Sequence, residues 1–339
     1  MCEEIIKIKS LSIGYAEGGR SRKTIFSDLN LSCKRGEIIG LIGKNGSGKS
    51  TLLKTLAGLL KPLEGNVFIN DLSIMKFTRR ELARQVSFVS TEVPVIPNLS
   101  VTELVSLGRY PYTGWTGRLS QEDICQVNTS IDQVDVRNLS GKPVSEISDG
   151  ERQRAMIARA LAQDTDVMIL DEPTAFLDLP NRYEILRLLN HLAATKGKTI
   201  LFSTHDLGIA LHETDKIWLF TNENIIPGAP EDLIINKGFF KLFENSSLRF
   251  DLAKGEIQPE RNFVKKMGIR GKGIVRFWSV HALARLGIEA VDEEKELNLS
   301  IEEADERPLW RLNDYKNELI FHSIYELCLH LKSIINQNL

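Results

Sequence analysis

Gly43-Lys44-Asn45-Gly46-Ser47-Gly48-Lys49-Ser50 is the stretch on which the fold turns. Its glycines let the backbone bend until successive N–H groups face one anion, and a following helix adds its N-terminus to the same charge. The stretch matches the P-loop pattern, which carries meaning only between a strand and a helix. Both are present: residues 37–42 read as a short buried strand, and residues 49–60 as a helix. In that setting Lys49 reaches the β- and γ-phosphates of a nucleoside triphosphate and Ser50 holds Mg2+. Gly43, Lys44, Asn45, Gly46, Ser47, Gly48 and Thr51 complete the predicted phosphate-contacting set.

Downstream, Val167-Met168-Ile169-Leu170-Asp171-Glu172 is an apolar strand that delivers two carboxylates at its end. After a P-loop, the first carboxylate is the expected partner of the metal. Glu172 can hold an attacking water and accept its proton, a base's role. Around these motifs strands and helices alternate: a helix at 151–162, the strand at 167–170, an amphipathic helix at 181–195 and a buried strand at 199–203. Alternation of this kind predicts an α/β fold with a mostly parallel sheet covered on both faces. Residues 5–13 and 24–33 read as strands of a separate antiparallel piece. Residues 99–136 read as an irregular helical insert, broken by Gly108, Pro111, Gly114 and Gly117, so that the helical subdomain covers about 99–162.

Ile147-Ser148-Asp149-Gly150-Glu151-Arg152-Gln153-Arg154 lies shortly before the acidic strand and is similar to the signature sequence of the ABC transporter nucleotide-binding subunits. The resemblance spans about residues 5–244. It implies a P-loop ABC ATPase domain, a mixed sheet with antiparallel β and helical subdomains, that binds and hydrolyses ATP with Mg2+. It also implies a head-to-tail homodimer in which Ser148 and Gly150 grip the γ-phosphate of ATP held by the opposite subunit. Tyr15, after Leu11-Ser12-Ile13-Gly14, falls where the family stacks a ring on adenine. His205, in Ser203-Thr204-His205-Asp206, falls where a histidine meets the γ-phosphate and attacking water, and Asp178 where the two subunits communicate. Read without the family, Ser148 and Asp178 are helix caps, and Tyr15 and His205 are packing residues.

The chain departs from the family in places. Thr91, followed by Glu92, stands where a glutamine usually touches Mg2+; Thr91 keeps a ligand oxygen on a shorter arm. Asp149 and Glu151 replace the commoner Gly and Gln. The run Gly108-Arg109-Tyr110-Pro111-Tyr112 resembles the subdomain of ATPases that serve importers of iron–siderophore, haem and cobalamin. That resemblance implies separate, integral membrane permease subunits that hold this chain peripherally on the cytoplasmic side of the inner membrane and, indirectly, a solute-binding protein. Tyr110, Tyr112 and Trp115 suit a protein interface, since aromatics give large contact area at low entropy cost; local packing is the other reading. An exporter ATPase, or a soluble ABC protein acting on ribosomes or DNA, is the alternative; the latter usually has two cassettes or a long coiled coil, and no sustained heptad is visible here.

Composition agrees with this picture. With 43 basic and 45 acidic residues the charge is nearly balanced, so there is no bulk footprint for nucleic acid. The four cysteines lack metal-site or disulfide spacing, which points to a reducing compartment. No apolar run reaches the roughly 20 residues that span a bilayer, and the first ten residues lack a signal-peptide core. Residues 1–244 form the expected ATP-binding domain, Asn245, Ser246 and Ser247 the expected hinge, and 245–339 a small α+β accessory domain of strand, helix, several strands and final helix. Its Arg276, Trp278, His281 and Trp310 read as packing residues rather than a ligand site.

Overall fold

All five residues of the strand Ile38–Ile42 are buried, and their alternation divides them between cores. Ile38 packs with Met168, Leu170, Ile200 and Phe202, whereas Ile39 and Leu41 pack with Val167, Ile169 and Leu201. Successive side chains of a strand point to opposite faces, so strands without a polar residue require cover on both. In the computed structural model, which describes residues 3–17, 21–91, 98–243, 248–251, 256–304, 307–314 and 317–337, that cover is present. The helices Val101–Ser106, Gln121–Gln133, Asp149–Ala162 and Leu179–Lys196 line one face. The helix Lys49–Leu56 and an antiparallel sheet line the other.

The central sheet runs Ile225–Gly228, Lys216–Phe220, Ile38–Ile42, Thr199–Thr204, Val167–Leu170, Val86–Val89. Its pairings are parallel except at the edge, where Ile225–Gly228 runs antiparallel to Lys216–Phe220. The antiparallel sheet has the order Ser21–Lys34, Glu4–Glu17, Glu64–Ile69, Leu72–Ser73. The helix after the P-loop ends at Leu56, earlier than its apolar pattern suggests. Gly58 turns left-handed at φ +70, Leu59 N–H donates to Lys54 O and Gly58 N–H to Thr55 O, a pair of bonds that closes a helix end.

The chain divides by compactness into residues 1–258 and 259–339. The expected hinge residues Asn245, Ser246 and Ser247 lie outside the described residues. The short strands Leu248–Asp251 and Glu256–Pro259 pair with each other, and Phe250 is buried with Ile42, Leu207, Leu233 and Phe239. The second unit is a five-stranded sheet of order Ile288–Val291, Lys265–Arg270, Leu297–Ala304, Arg307–Asp314, Asn317–Phe321. The helices Gly273–Arg285 and Ile324–Gln337 supply Leu283, Leu327 and Leu331 to its core, which also holds Met267, Leu299 and Leu312. Trp310 is in that core and donates from Nε1 to Ser279 Oγ at 2.8 Å. Trp278, expected as a packing ring, is instead 55% exposed, because its helix turns Ser279, Ala282 and Leu283 inward. It stacks edge-on against Phe277 and tilts over His281, and Arg276 pairs with Asp292 at 2.5 Å. No helix of the described residues is long and apolar enough to cross a membrane.

Candidate active site

The P-loop sits at the end of the strand Ile38–Ile42 and opens the helix Lys49–Leu56. Gly46 and Gly48 take φ of +76 and +99, conformations a side chain disfavours. A Cβ at Gly43 would lie 2.6 Å from Phe220 Cβ, and one at Gly48 2.7 Å from Ile25 Cγ2, so the loop passes where only backbone fits. Ser47 Oγ is buried without a hydrogen-bond partner in the described structure, and the helix's first turn carries no acidic residue. A cradle of backbone donors with a spare buried hydroxyl fits a polyphosphate.

Lys49 is 5% exposed, and its Nζ donates to Gly43 O at 2.8 Å and Lys44 O at 3.1 Å. Burial pushes its ammonium below the ordinary lysine range, and Glu172 and Asp171 oppose that shift. Such an ammonium can donate to phosphate oxygens. Ser50 Oγ donates to Asp171 Oδ1 at 2.9 Å, so the hydroxyl and carboxylate predicted to share a metal meet across 121 residues of sequence. This oxygen pair suits Mg2+, a hard cation bound by one or two carboxylates plus phosphates.

Asp171 is buried at the end of the strand Val167–Leu170, and Glu172 is half-buried beside it at φ +49. Three contacts around this pair had no counterpart in the sequence reading. Ser203 Oγ donates to Asp171 Oδ1 at 2.7 Å and accepts the Glu172 N–H at 2.8 Å. Thr91 Oγ1, expected at the metal, donates to the main-chain oxygen of Asp171 at 2.7 Å. Ser203 is one of three buried hydroxyl residues in the strand Thr199–Thr204, and nothing in the sequence separates it from Thr199 and Thr204. Glu92 lies outside the described residues.

Tyr15, 46% exposed, shares a hydrogen bond of 3.0 Å between its hydroxyl and Thr51 Oγ1, which places its ring beside the first turn of the P-loop helix. His205 is exposed at the end of the strand Thr199–Thr204 and shares a pocket of about 260 Å3 with Gly43, Lys44 and Asn45. Lys44, Asn45 and Gly46 face solvent.

Ser148 caps the helix Asp149–Ala162: its hydroxyl accepts the Glu151 N–H, and the Glu151 carboxylate accepts the Ser148 N–H at 2.8 Å and its hydroxyl at 2.9 Å. The acidic replacement in the signature thereby closes a capping box. Gly150 is buried, with Asn181 3.3 Å from where its Cβ would be. Asp178 caps the helix Leu179–Lys196 by accepting the Asn181 N–H at 3.1 Å. Around it Phe176 is 85% and Leu179 62% exposed, two apolar side chains without cover in the single chain.

In the insert, Tyr110 is 77% exposed and Trp115 fully exposed. Tyr112, expected at the interface with them, is held inside: Arg109 stacks on its ring at 3.9 Å and Arg84 at 4.9 Å, and its hydroxyl donates to Gln163 O at 3.1 Å.

The family described as "ABC transporter" matches residues 26–175, and the one described as "Iron ABC transporter C-terminal domain" matches residues 264–332. An uncharacterized ABC transporter ATP-binding protein of Methanocaldococcus jannaschii is 37% identical over 80% of this chain and 95% of its own. The iron(3+)-hydroxamate import ATP-binding protein of Bacillus subtilis is 38% identical over 60% of this chain and 74% of its own. Among solved structures, an ATP-binding cassette captured as a dimer after hydrolysis, bound to ADP and Pi, is 28% identical. It covers 66% of this chain and 98% of its own, with a TM-score of 0.59. With the P-loop, acidic strand and signature helix in one compact unit, and with a relative matched over most of both chains, this protein belongs to the ABC transporter family as an ATP-binding, ATP-hydrolysing subunit.

Proposed function

We propose that the chain energises import of an iron complex, such as a siderophore, ferric citrate or haem, or of cobalamin, through separate permease subunits. The family matched by residues 264–332 carries most weight, because an accessory unit typed to iron transporters separates this chain from ATPases that share only the cassette. The iron-hydroxamate relative points the same way and disfavours the exporter reading. Uptake of labelled iron chelates, haem and cobalamin by cells lacking the gene tests the cargo; unimpaired uptake of all of them would remove this reading.

In the chemistry we assign, backbone N–H groups of residues 43–51 and the Lys49 ammonium hold the phosphates, and Tyr15 packs on adenine. Ser50 and Asp171 would hold Mg2+, which would supply positive charge against the phosphates, and Thr91 holds the Asp171 main-chain oxygen beside them. Glu172 accepts the proton of the attacking water, and His205 orients that water and the γ-phosphate. Ser148 and Gly150 complete the site from a second copy, with Asp178 relaying between the two. The bare apolar pair Phe176 and Leu179 beside Asp178 supports a partner there. Tyr110 and Trp115 face the permease, on the cytoplasmic side of the membrane.

Glu172→Gln is expected to bind Mg·ATP and accumulate as a dimer in sedimentation while hydrolysis falls by at least about 10²-fold. Turnover at the wild-type rate would remove Glu172 as the base.

A further inference from the structure

The peptide joining Asp171 to Glu172 is gripped on both edges. Its carbonyl oxygen accepts from Thr91 Oγ1 at 2.7 Å, and its N–H donates to Ser203 Oγ at 2.8 Å. Sheet order explains the grip: Val167–Leu170 lies between Val86–Val89 and Thr199–Thr204, so Ser203 within the one neighbour and Thr91, two residues past the end of the other, reach the same peptide plane. The plane is rigid, so holding its carbonyl and its N–H fixes the direction in which the chain leaves toward Glu172.

Glu172 departs at φ +49, a left-handed conformation that non-glycine residues seldom hold unless their surroundings over-determine it. Ser203 is fully buried, and its hydroxyl accepts the Glu172 amide while donating to Asp171 Oδ1 at 2.7 Å. A hydroxyl gives and accepts at once; alanine or valine does neither. One side chain therefore ties the orientation of the metal carboxylate to that of its neighbour.

We propose that Ser203, opposed by Thr91, is a positioning residue for ATP hydrolysis, clamping the Asp171–Glu172 peptide so that the Glu172 carboxylate is aimed at the attacking water. The proposal rests on the reading of Glu172 as the base. Ser203 touches no nucleotide in this role, so its loss is felt in turnover and not in binding.

The test compares the full-length chain with Ser203→Ala, Ser203→Thr, Glu172→Gln and the Ser203→Ala/Glu172→Gln double variant. Ser203→Ala is expected to lower kcat about 10-fold, within the roughly 10²-fold that misplacement of a reacting group costs, with KM for ATP unchanged within about two-fold. Ser203→Thr, which keeps the hydroxyl, is expected to retain kcat within about three-fold. Hydrogen exchange at the Glu172 amide should quicken in Ser203→Ala while the amides of Val167–Leu170 keep their protection. In the Glu172→Gln background, adding Ser203→Ala should cost nothing more, since no base remains to be aimed.

Wild-type kcat in Ser203→Ala, a loss of ATP affinity equal to the loss of kcat, or unchanged exchange at Glu172 would each overturn the clamp. Failure of the base assignment is read separately, from turnover of Glu172→Gln alone. If Ser203→Ala does not fold, Ser203→Cys carries the same measurements, with its weaker donor giving a loss between those of Thr and Ala.

Discussion

Glu151 shows how one acidic replacement is absorbed. It is the third residue of the helix Asp149–Ala162, where a carboxylate meets the positive end of the helix and the orphan N–H of the cap. The Ser148 backbone N–H first, then its hydroxyl, hold the Glu151 carboxyl below the usual range. A depressed folded-state value means that its contribution is complete above the unfolded value of about 4.3 and is lost as pH falls through the lower folded one. Glu151→Gln can close the same box without titrating. The stability gap between the wild type and this variant at neutral pH is thus expected to shrink below about pH 4 in thermal unfolding. A gap that stays constant across pH would show that the charge contributes nothing.

At the scale of elements, Arg109 fastens the insert to the signature helix. It is 6% exposed, pairs with Asp123 at 2.8 Å, donates to Ala162 O at 2.9 Å and covers the Tyr112 ring. Gly108 beside it has no room for a Cβ, which would lie 2.2 Å from Arg159 O. The same segment therefore exposes Tyr110 and Trp115 while Arg109 and Tyr112 anchor it. Arg109→Ala leaves the Asp123 charge buried and unpaired, a change that costs about 3–5 kcal/mol. Urea unfolding should show that loss, and a cost below about 1 kcal/mol would mean that water replaces the arginine.

For the whole molecule, the short strands Leu248–Asp251 and Glu256–Pro259 matter because Phe250 is buried against Ile42, at the foot of the P-loop, and Leu207, two residues past His205. A chain ending at Gln258 keeps that contact and is expected to fold and hydrolyse ATP without the second unit. A chain ending at residue 244 loses Phe250 from the core, at a cost of about 3–5 kcal/mol, the range for truncating a buried Phe. Calorimetry of the two shortened chains checks this; equal midpoints would show that Phe250 is dispensable. The second unit, with its own core around Met267, Leu299 and Trp310, meets the physical requirement for folding alone.

The sequence by itself determined the fold class, the P-loop, the acidic pair and the signature helix. Those features are local: glycines at fixed spacing, an apolar strand ending in carboxylates and a capped helix each write their chemistry into a few consecutive residues. It also set out the order of elements in the second unit, because alternating apolar residues mark strands without knowledge of their neighbours. Only the tertiary structure decided that Ser203 and Thr91 grip one peptide from opposite sides, and that Tyr112 turns inward while Tyr110 and Trp115 do not. Each of these depends on strand order or on which side of a helix faces the core, and a hydroxyl or a ring looks the same in sequence whichever neighbour it will meet.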